Sequence, residues 1–251
     1  MLGRSAGVRS LMSSFAKGFE AVVLGPEAFK RMPWKNGKGV TTEIAIGFAP
    51  MHPDTFSWRI SRATVSEDGD FSVFDGVDRN LTVLPGGGEG LELRVQTGSS
   101  TASSTLRPLE PFAFPGDVST TGVLLGGVID DFNVMARRGL ARIDSVQLVD
   151  STNGAAAANE YHPTVATGDA DGDGGSIVIV YCVEGPEVTV AGPGALADDL
   201  VWSGGPRWVV PLGHAFLARS QKSAPLAVLG SGKCIRVDLT ELEPAERPVA
   251  E

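Results

Sequence analysis

An all-β fold is what this sequence predicts, and three observations carry that expectation. Bulky and small or polar residues alternate with a period of two along many short runs. The chain's 32 glycines and 16 prolines follow no repeat, so they read as turns between those runs. Apolar residues at helical spacing are scarce, with one short helix expected over 26–31.

Taken in order, the strand-like runs begin with the stretch opened by Thr41 and with Ser57 to Ala63. Asn80 to Leu84 and Leu91 to Val95 flank the glycine-rich 85–90, which reads as a hairpin connection. Runs follow at 112–114, 123–125, 132–136 and 143–149. After a polar stretch rich in Asn, Ala, Gly and Asp, strands resume at 177–183, 187–190, 207–210, 215–218, 226–229 and 234–239. An all-β chain of this kind must close its sheets or cover their edges. The expected division is an N-terminal extension over 1–19, a first lobe over 20–150, a polar linker over 151–175, a second lobe over 176–240 and an acidic tail over 241–251.

Composition narrows the function. The 251 residues carry a formal net charge of −9, yet residues 1–40 hold 7 Lys and Arg against 2 Asp and Glu. An acidic body argues against nucleic acid as a partner, since phosphate binding draws on clustered cations. The basic N-terminal part can still receive a small anion. No run of 18 apolar residues exists, which leaves no membrane span expected. Cys182 and Cys234 lack the spacing of a metal site and read as reduced core residues. The first 19 residues hold Arg4, Arg9 and Lys17 with several serines and no acid, a composition shared by disordered starts and mitochondrial-type transit segments. A cytoplasmic location is expected, with the mitochondrion as the alternative.

No device for metal or nucleotide chemistry is visible. His52, His162 and His214 stand far apart. Gly232-Lys233 and Gly37-Lys38 both lack the first glycine of a phosphate loop. Asp169, Asp171 and Asp173 imitate a calcium loop, but Val180 stands where its glutamate belongs. Neither a metal nor a cofactor is expected.

What remains is one dense stretch, PWKNGKGVTTEIA from Pro33 to Ala45. Lys35, Asn36, Gly37, Lys38 and Gly39 gather charged and hydrogen-bonding groups at a flexible turn, where the glycines let a ligand approach the backbone closely. Beyond it, Thr41, Glu43 and Ala45 form one strand row. In the next run Arg59, Ser61, Ala63 and Val65 share a face opposite Trp58, Ile60, Arg62 and Thr64. Over 131–137, Asp131, Asn133, Met135 and Arg137 oppose Phe132, Val134 and Ala136. Small Ser61 and Ala63 beside Arg59 leave room for a cavity. In FSVFDGVDR, from Phe71, Gly76 makes a turn, and Arg79 either pairs with Asp78, caps backbone groups or meets a ligand. Trp58 reads as core.

PWKNGKGVTTEIA, WRISRA, FSVFDGVDR, PFAFPGD and DFNVMARRG together resemble the HutD/Ves family, bacterial proteins associated with histidine utilisation and stress. The match departs at Lys38, where the family has the middle of three glycines, and at Thr42, where an arginine is common. The resemblance implies a cupin-type double-stranded β-helix (an RmlC-like jelly roll) in a two-lobed bicupin. It implies a small carboxylate as ligand, urocanate or a formylated or formiminated glutamate, and a metabolite sensor or regulator. Lys35, Asn36, Gly37, Lys38, Gly39, Glu43, Arg59, Ser61, Arg79 and Asn133 are then the candidate ligand-binding residues. The alternative is a metal-independent enzyme with Glu43 as acid/base. A homodimer is conceivable, because exposed strands in such folds pair between subunits.

Overall fold

The computed structural model describes residues 13–16, 19–34, 39–49, 53–152, 175–192, 206–220 and 226–242. Among them the strands are, in chain order, β1 (Ser13–Ala16), β2 (Phe19–Leu24), β3 (Lys30–Pro33), β4 (Gly39–Phe48), β5 (Phe56–Val65), β6 (Gly69–Asp70), β7 (Val77–Val83), β8 (Gly90–Thr97), β9 (Ser100–Leu106) and β10 (Phe112–Pro115). They continue as β11 (Thr120–Leu125), β12 (Ile129–Arg137), β13 (Ala141–Asp150), β14 (Ser176–Glu184), β15 (Glu187–Ala191), β16 (Arg207–Pro211), β17 (Ala215–Ser220), β18 (Ala227–Gly230) and β19 (Lys233–Glu241). The helix expected over 26–31 is a 3-10 turn at Pro26–Ala28, after which the chain enters β3. Pro26 favours such a start, but a single turn does not offset the cost of nucleating an α-helix.

Four sheets stack in layers. The cavity sheet runs β10-β7-β12-β5-β4-β3, and a cover sheet runs β6-β11-β8-β9. A hub sheet runs β1-β2-β17-β14-β19-β13, and a distal sheet runs β16-β15-β18. The hub sheet therefore sets β1, β2 and β13, from residues 13–150, beside β14, β17 and β19, from residues 176–241. All strand pairs in these sheets are antiparallel, as two-sided alternation requires.

Three apolar cores bind the layers. Leu81, Leu91, Leu93, Leu106 and Ile129 join the cavity sheet to the cover sheet. Trp58, Ile60, Phe132, Val134, Ile179, Tyr181 and Val237 join the cavity sheet's other face to the hub sheet. Val178, Cys182, Phe216 and Cys234 then face Val188, Val190, Val210 and Val228 of the distal sheet. Cys182 and Cys234 are register partners across β14 and β19, both buried and both free thiols. Burial pushes the Cys234 thiol up to about 12, so it packs as a small hydrophobe.

β5 shows how one strand serves two layers. Its even residues Trp58, Ile60 and Arg62 face the hub sheet and its odd residues face the cavity. Trp58 Nε1 donates to Glu241 Oε1 at 2.9 Å, and Phe132 stacks on Tyr181 with ring centroids 5.2 Å apart. Arg62 binds Asp130 at 2.6 Å and reaches the Tyr181 hydroxyl at 3.4 Å. Apolar burial and these polar ties lie on the same seam.

Two expectations fail for identifiable reasons. Residues 85–90 are not a hairpin connection, because β7 lies in the cavity sheet and β8 in the cover sheet. This glycine-rich run crosses between layers beside the return crossing at 126–128. Gly88 N donates to Val128 O at 2.7 Å, and a Cβ on Gly88 would stand 2.7 Å from Gly127 O. The glycines admit this close approach of two backbones. The row Thr41, Glu43, Ala45 is also broken, since the register of β4 against β5 slips between Glu43 and Ala45. That bulge puts Ala45 into the core with Ile44.

Candidate functional site

A cavity of about 700 Å³ opens between the cavity sheet and the segment 67–74. Strand pairing makes its floor a grid. On β12, Met135 lies opposite Arg59 of β5 and Arg79 of β7, Asn133 opposite Ser61 and Leu81, and Asp131 opposite Ala63 and Val83. Thr41 of β4 extends the Ala63 row. Arg59, Ser61, Arg79, Asp131 and Asn133 all line the cavity. Neighbouring strands lie about 4.8 Å apart, so Arg59 and Arg79 approach the same space from roughly 10 Å apart. Met32, Pro33, Trp34, Phe71 and Phe74 make the apolar walls, and Trp34 Nε1 donates to Thr41 Oγ1 at 2.8 Å.

Arg79 is the most constrained group here. Only 4% of it is exposed, and its guanidinium sits 4.9 Å from the Phe114 ring centroid, 5.3 Å from Phe71 and 5.5 Å from Phe74. Nη2 donates to Asn133 Oδ1 at 2.8 Å and Nη1 to Ser72 O at 3.2 Å, while Nε has no partner. Alternation sends Asp78 to the other face, where it binds Arg138 at 2.7 Å, so the two neighbours do not pair. Burial pushes the Arg79 guanidinium down to about 10; Asp131 acts against it, and the like charge of Arg59 adds a smaller push downward. It stays charged at neutral pH.

The Asn133 amide stands between two opposite charges. It accepts from Arg79 and donates from Nδ2 to Asp131 Oδ1 at 3.0 Å. Asp131 is 1% exposed, and its Oδ2 has no partner among protein groups. Burial pushes this carboxyl up to about 6, against the pull of Asn133 and Arg79. A folded value above the unfolded 3.8 means that ionising Asp131 costs stability. The cost is absent below pH 4, grows between pH 4 and 6, and is constant above, at about 3 kcal/mol. Asp131→Asn removes it. Urea denaturation is expected to show the variant gaining about 2–3 kcal/mol relative to wild type between pH 4 and pH 7. Parallel pH profiles would disprove the assignment.

Not every sequence-predicted residue reaches the cavity. Glu43 is held by Arg59, Nε to Oε2 at 2.8 Å, and is absent from the lining. Its carboxylate serves Arg59, and the acid/base role offered for it gains no support from this placement. Gly39 opens β4 behind the wall, where a Cβ would stand 2.5 Å from Thr64 O and 2.9 Å from Trp34. Lys35, Asn36, Gly37 and Lys38 lie outside the described residues, as does the aspartate run at 169–173. The described residues on either side of them are paired, Trp34 N donating to Gly39 O at 2.9 Å. Trp58 is core, as its alternation predicts.

The sequence named Asp131 in a strand row but missed it as a site residue, although it shares a face with Asn133. Phe71, Phe74 and Phe114 carried no periodic signal toward Arg79. Nor did Glu67, Asp68 and Asp70, which form the acidic rim of the opening. Among the described residues no group of three or more His, Cys, Asp or Glu could hold a metal ion. No helix of the described residues is long and apolar enough to cross a membrane.

Comparisons with known proteins place this geometry. The chain is 42% identical over 113 residues to an uncharacterised 21.2 kDa protein from the hutC 3' region of Pseudomonas putida, covering 45% of this chain and 56% of that one. It is 38% identical over 127 residues to protein Ves of Citrobacter koseri, covering 49% and 62%. The alignments thus span less than two thirds of these curated relatives. Both are bacterial, which lends no support to a mitochondrial reading of the N-terminal residues. The structure of HutD from Pseudomonas fluorescens SBW25, in a formate condition, superposes with a TM-score of 0.63 at 27% identity over 89% of this chain and 100% of that one. Ylba from E. coli, of DUF861, shares the fold at a TM-score of 0.51 and 10% identity, over 93% of each chain. The cupin-type all-β fold expected from the sequence is therefore the fold observed. The HutD family profile matches residues 26–199, more than half of the sequence, and the chain belongs to the HutD family.

Proposed function

We propose that this HutD-family protein binds a small carboxylate metabolite of histidine breakdown in the cavity, and acts by sensing it. The observation that carries the reading is Arg79, a buried guanidinium that among the described residues has no carboxylate in contact and an unpartnered Nε. A guanidinium taken out of water is costly unless something repays it. A carboxylate entering beside Arg79 and Arg59 would supply two charge-assisted hydrogen bonds in fork geometry. Aromatic and methionine walls would cover the rest of a planar or short-chain ligand. The P. putida relative's place beside hutC supports a histidine-utilisation role. The formate condition of the P. fluorescens HutD structure is in keeping with a carboxylate ligand.

Isothermal titration calorimetry with urocanate, N-formylglutamate and N-formiminoglutamate tests the reading. Saturable heat with a Kd of about 1 μM, or about −8 kcal/mol, is expected for at least one of them. Mass spectrometry is expected to recover that ligand unchanged. Absence of heat with all three overturns the proposal, and turnover overturns the sensing role.

A further inference from the structure

Charge around the cavity is not what a simple anion site needs. Of the described lining residues, Arg59 and Arg79 are cationic, while Glu67, Asp68, Asp70 and Asp131 carry carboxyls. Glu43 already neutralises Arg59. Among these described residues a dianion would meet one cation without a paired carboxylate and several like charges, and like-charge juxtaposition costs several kcal/mol. The rim carboxylates are held in place: Asp68 Oδ1 accepts from Leu124 N at 2.8 Å, and Asp70 Oδ1 from the Thr121 hydroxyl at 2.7 Å.

The floor repeats this polarity. Arg79 and Asp131 are both buried, both carry an unpartnered polar atom, and are kept apart by the Asn133 amide. Direct contact would satisfy them both. Separation leaves each able to meet a different end of one molecule.

We propose that the cavity selects carboxylates that also bear a protonated nitrogen, an amidinium, imidazolium or ammonium, with Arg79 receiving the carboxylate and Asp131 the nitrogen. This rests on the carboxylate-binding reading above and sharpens it. It ranks formiminated glutamate and protonated urocanate above formylated glutamate. Asp131 acts as the specificity-determining residue, because a neutral N–H can pair its buried carboxylate but only a protonated nitrogen also offsets its charge. Among the described residues, the charged groups around Asp131 are Arg79 on β7, Arg59 on β5 with Glu43 on β4, the rim carboxylates at 67–70, and Asp130 on its own strand. Asp130 is engaged by Arg62 and Thr64 on the opposite face.

The test uses 3-guanidinopropionate and 3-ureidopropionate, alike in size and carboxylate but differing in charge at the far end. Calorimetry at pH 7.5 is expected to show at least tenfold tighter binding of the guanidino compound to wild type. In Asp131→Asn the preference is expected to fall within about threefold, with the carboxylate end still bound. The preference in wild type is also expected to shrink below pH 6, as Asp131 takes up a proton; this holds the test if the variant folds poorly. Equal binding of both compounds, or tighter ureido binding, overturns the selectivity and leaves carboxylate binding standing. No binding of either withdraws the carboxylate reading and this one with it.

Discussion

Arg79→Gln is expected to lower affinity for the bound carboxylate by about 30- to 1,000-fold while the protein stays folded. The reasoning starts from what Arg79 loses and keeps. Glutamine keeps an amide donor at about the position of Nε, short of Nη2, which in wild type donates to Asn133 Oδ1 at 2.8 Å. It loses the charge and the second arm of the fork, and removing a desolvated charge partner costs about 2–5 kcal/mol in binding. Fold stability moves far less. The guanidinium's contacts with Phe71, Phe74 and Phe114 disappear, but so does the burden of a buried cation. Urea denaturation is expected to show a change within about 1–2 kcal/mol. Arg79→Lys keeps the charge without the fork, so calorimetry should place it between wild type and the glutamine variant. Affinity unchanged in Arg79→Gln would remove Arg79 from the site.

Phe132→Ala is expected to cost about 3–5 kcal/mol of stability, the largest single effect on the fold. Phe132 is fully buried and stacks on Tyr181 across the seam between the cavity and hub sheets. Truncation removes the transfer free energy of the ring and leaves a hole beside Tyr181, in the cluster that also holds Ile60, Val134 and Ile179. Those branched side chains lie on paired strands, which limits how far they can close it. Urea denaturation at 25 °C reads the loss directly. Because Phe132 faces away from the cavity, ligand affinity of the folded fraction should stay within about threefold of wild type. A stability loss under about 1 kcal/mol would mean that this seam is not what holds the layers together.

Period-two alternation carried the site a long way. It placed Arg59 with Ser61 and Asn133 with Met135, and it put Trp58, Ile60 and Phe132 on the reverse face. Strand faces follow from backbone geometry alone, which is why those residues were legible. Two features escape that rule. The bulge after Glu43 inserts a residue that no pattern of hydrophobicity marks, so Ala45 changes face unannounced. The crossing at 85–90 looks like a hairpin because glycine signals close backbone approach without saying which backbone approaches. The remaining wall, from Glu67 to Phe74, is mostly loop, and loop residues have no period to read. Only β6 interrupts it, and two residues are too few for alternation to show.

The two-sided duty of β5 has a consequence at the level of codons. Loss or gain of one residue between Phe56 and Val65 would exchange the faces, turning Trp58 and Ile60 toward the cavity and Arg59 into the seam. The same event at 98–99, in the turn between β8 and β9, would touch neither. Length variation among relatives is therefore expected to gather at such surface turns and to spare β5, whatever substitutions that strand accumulates. The reading frame of this strand is fixed twice over, once by the core and once by the cavity.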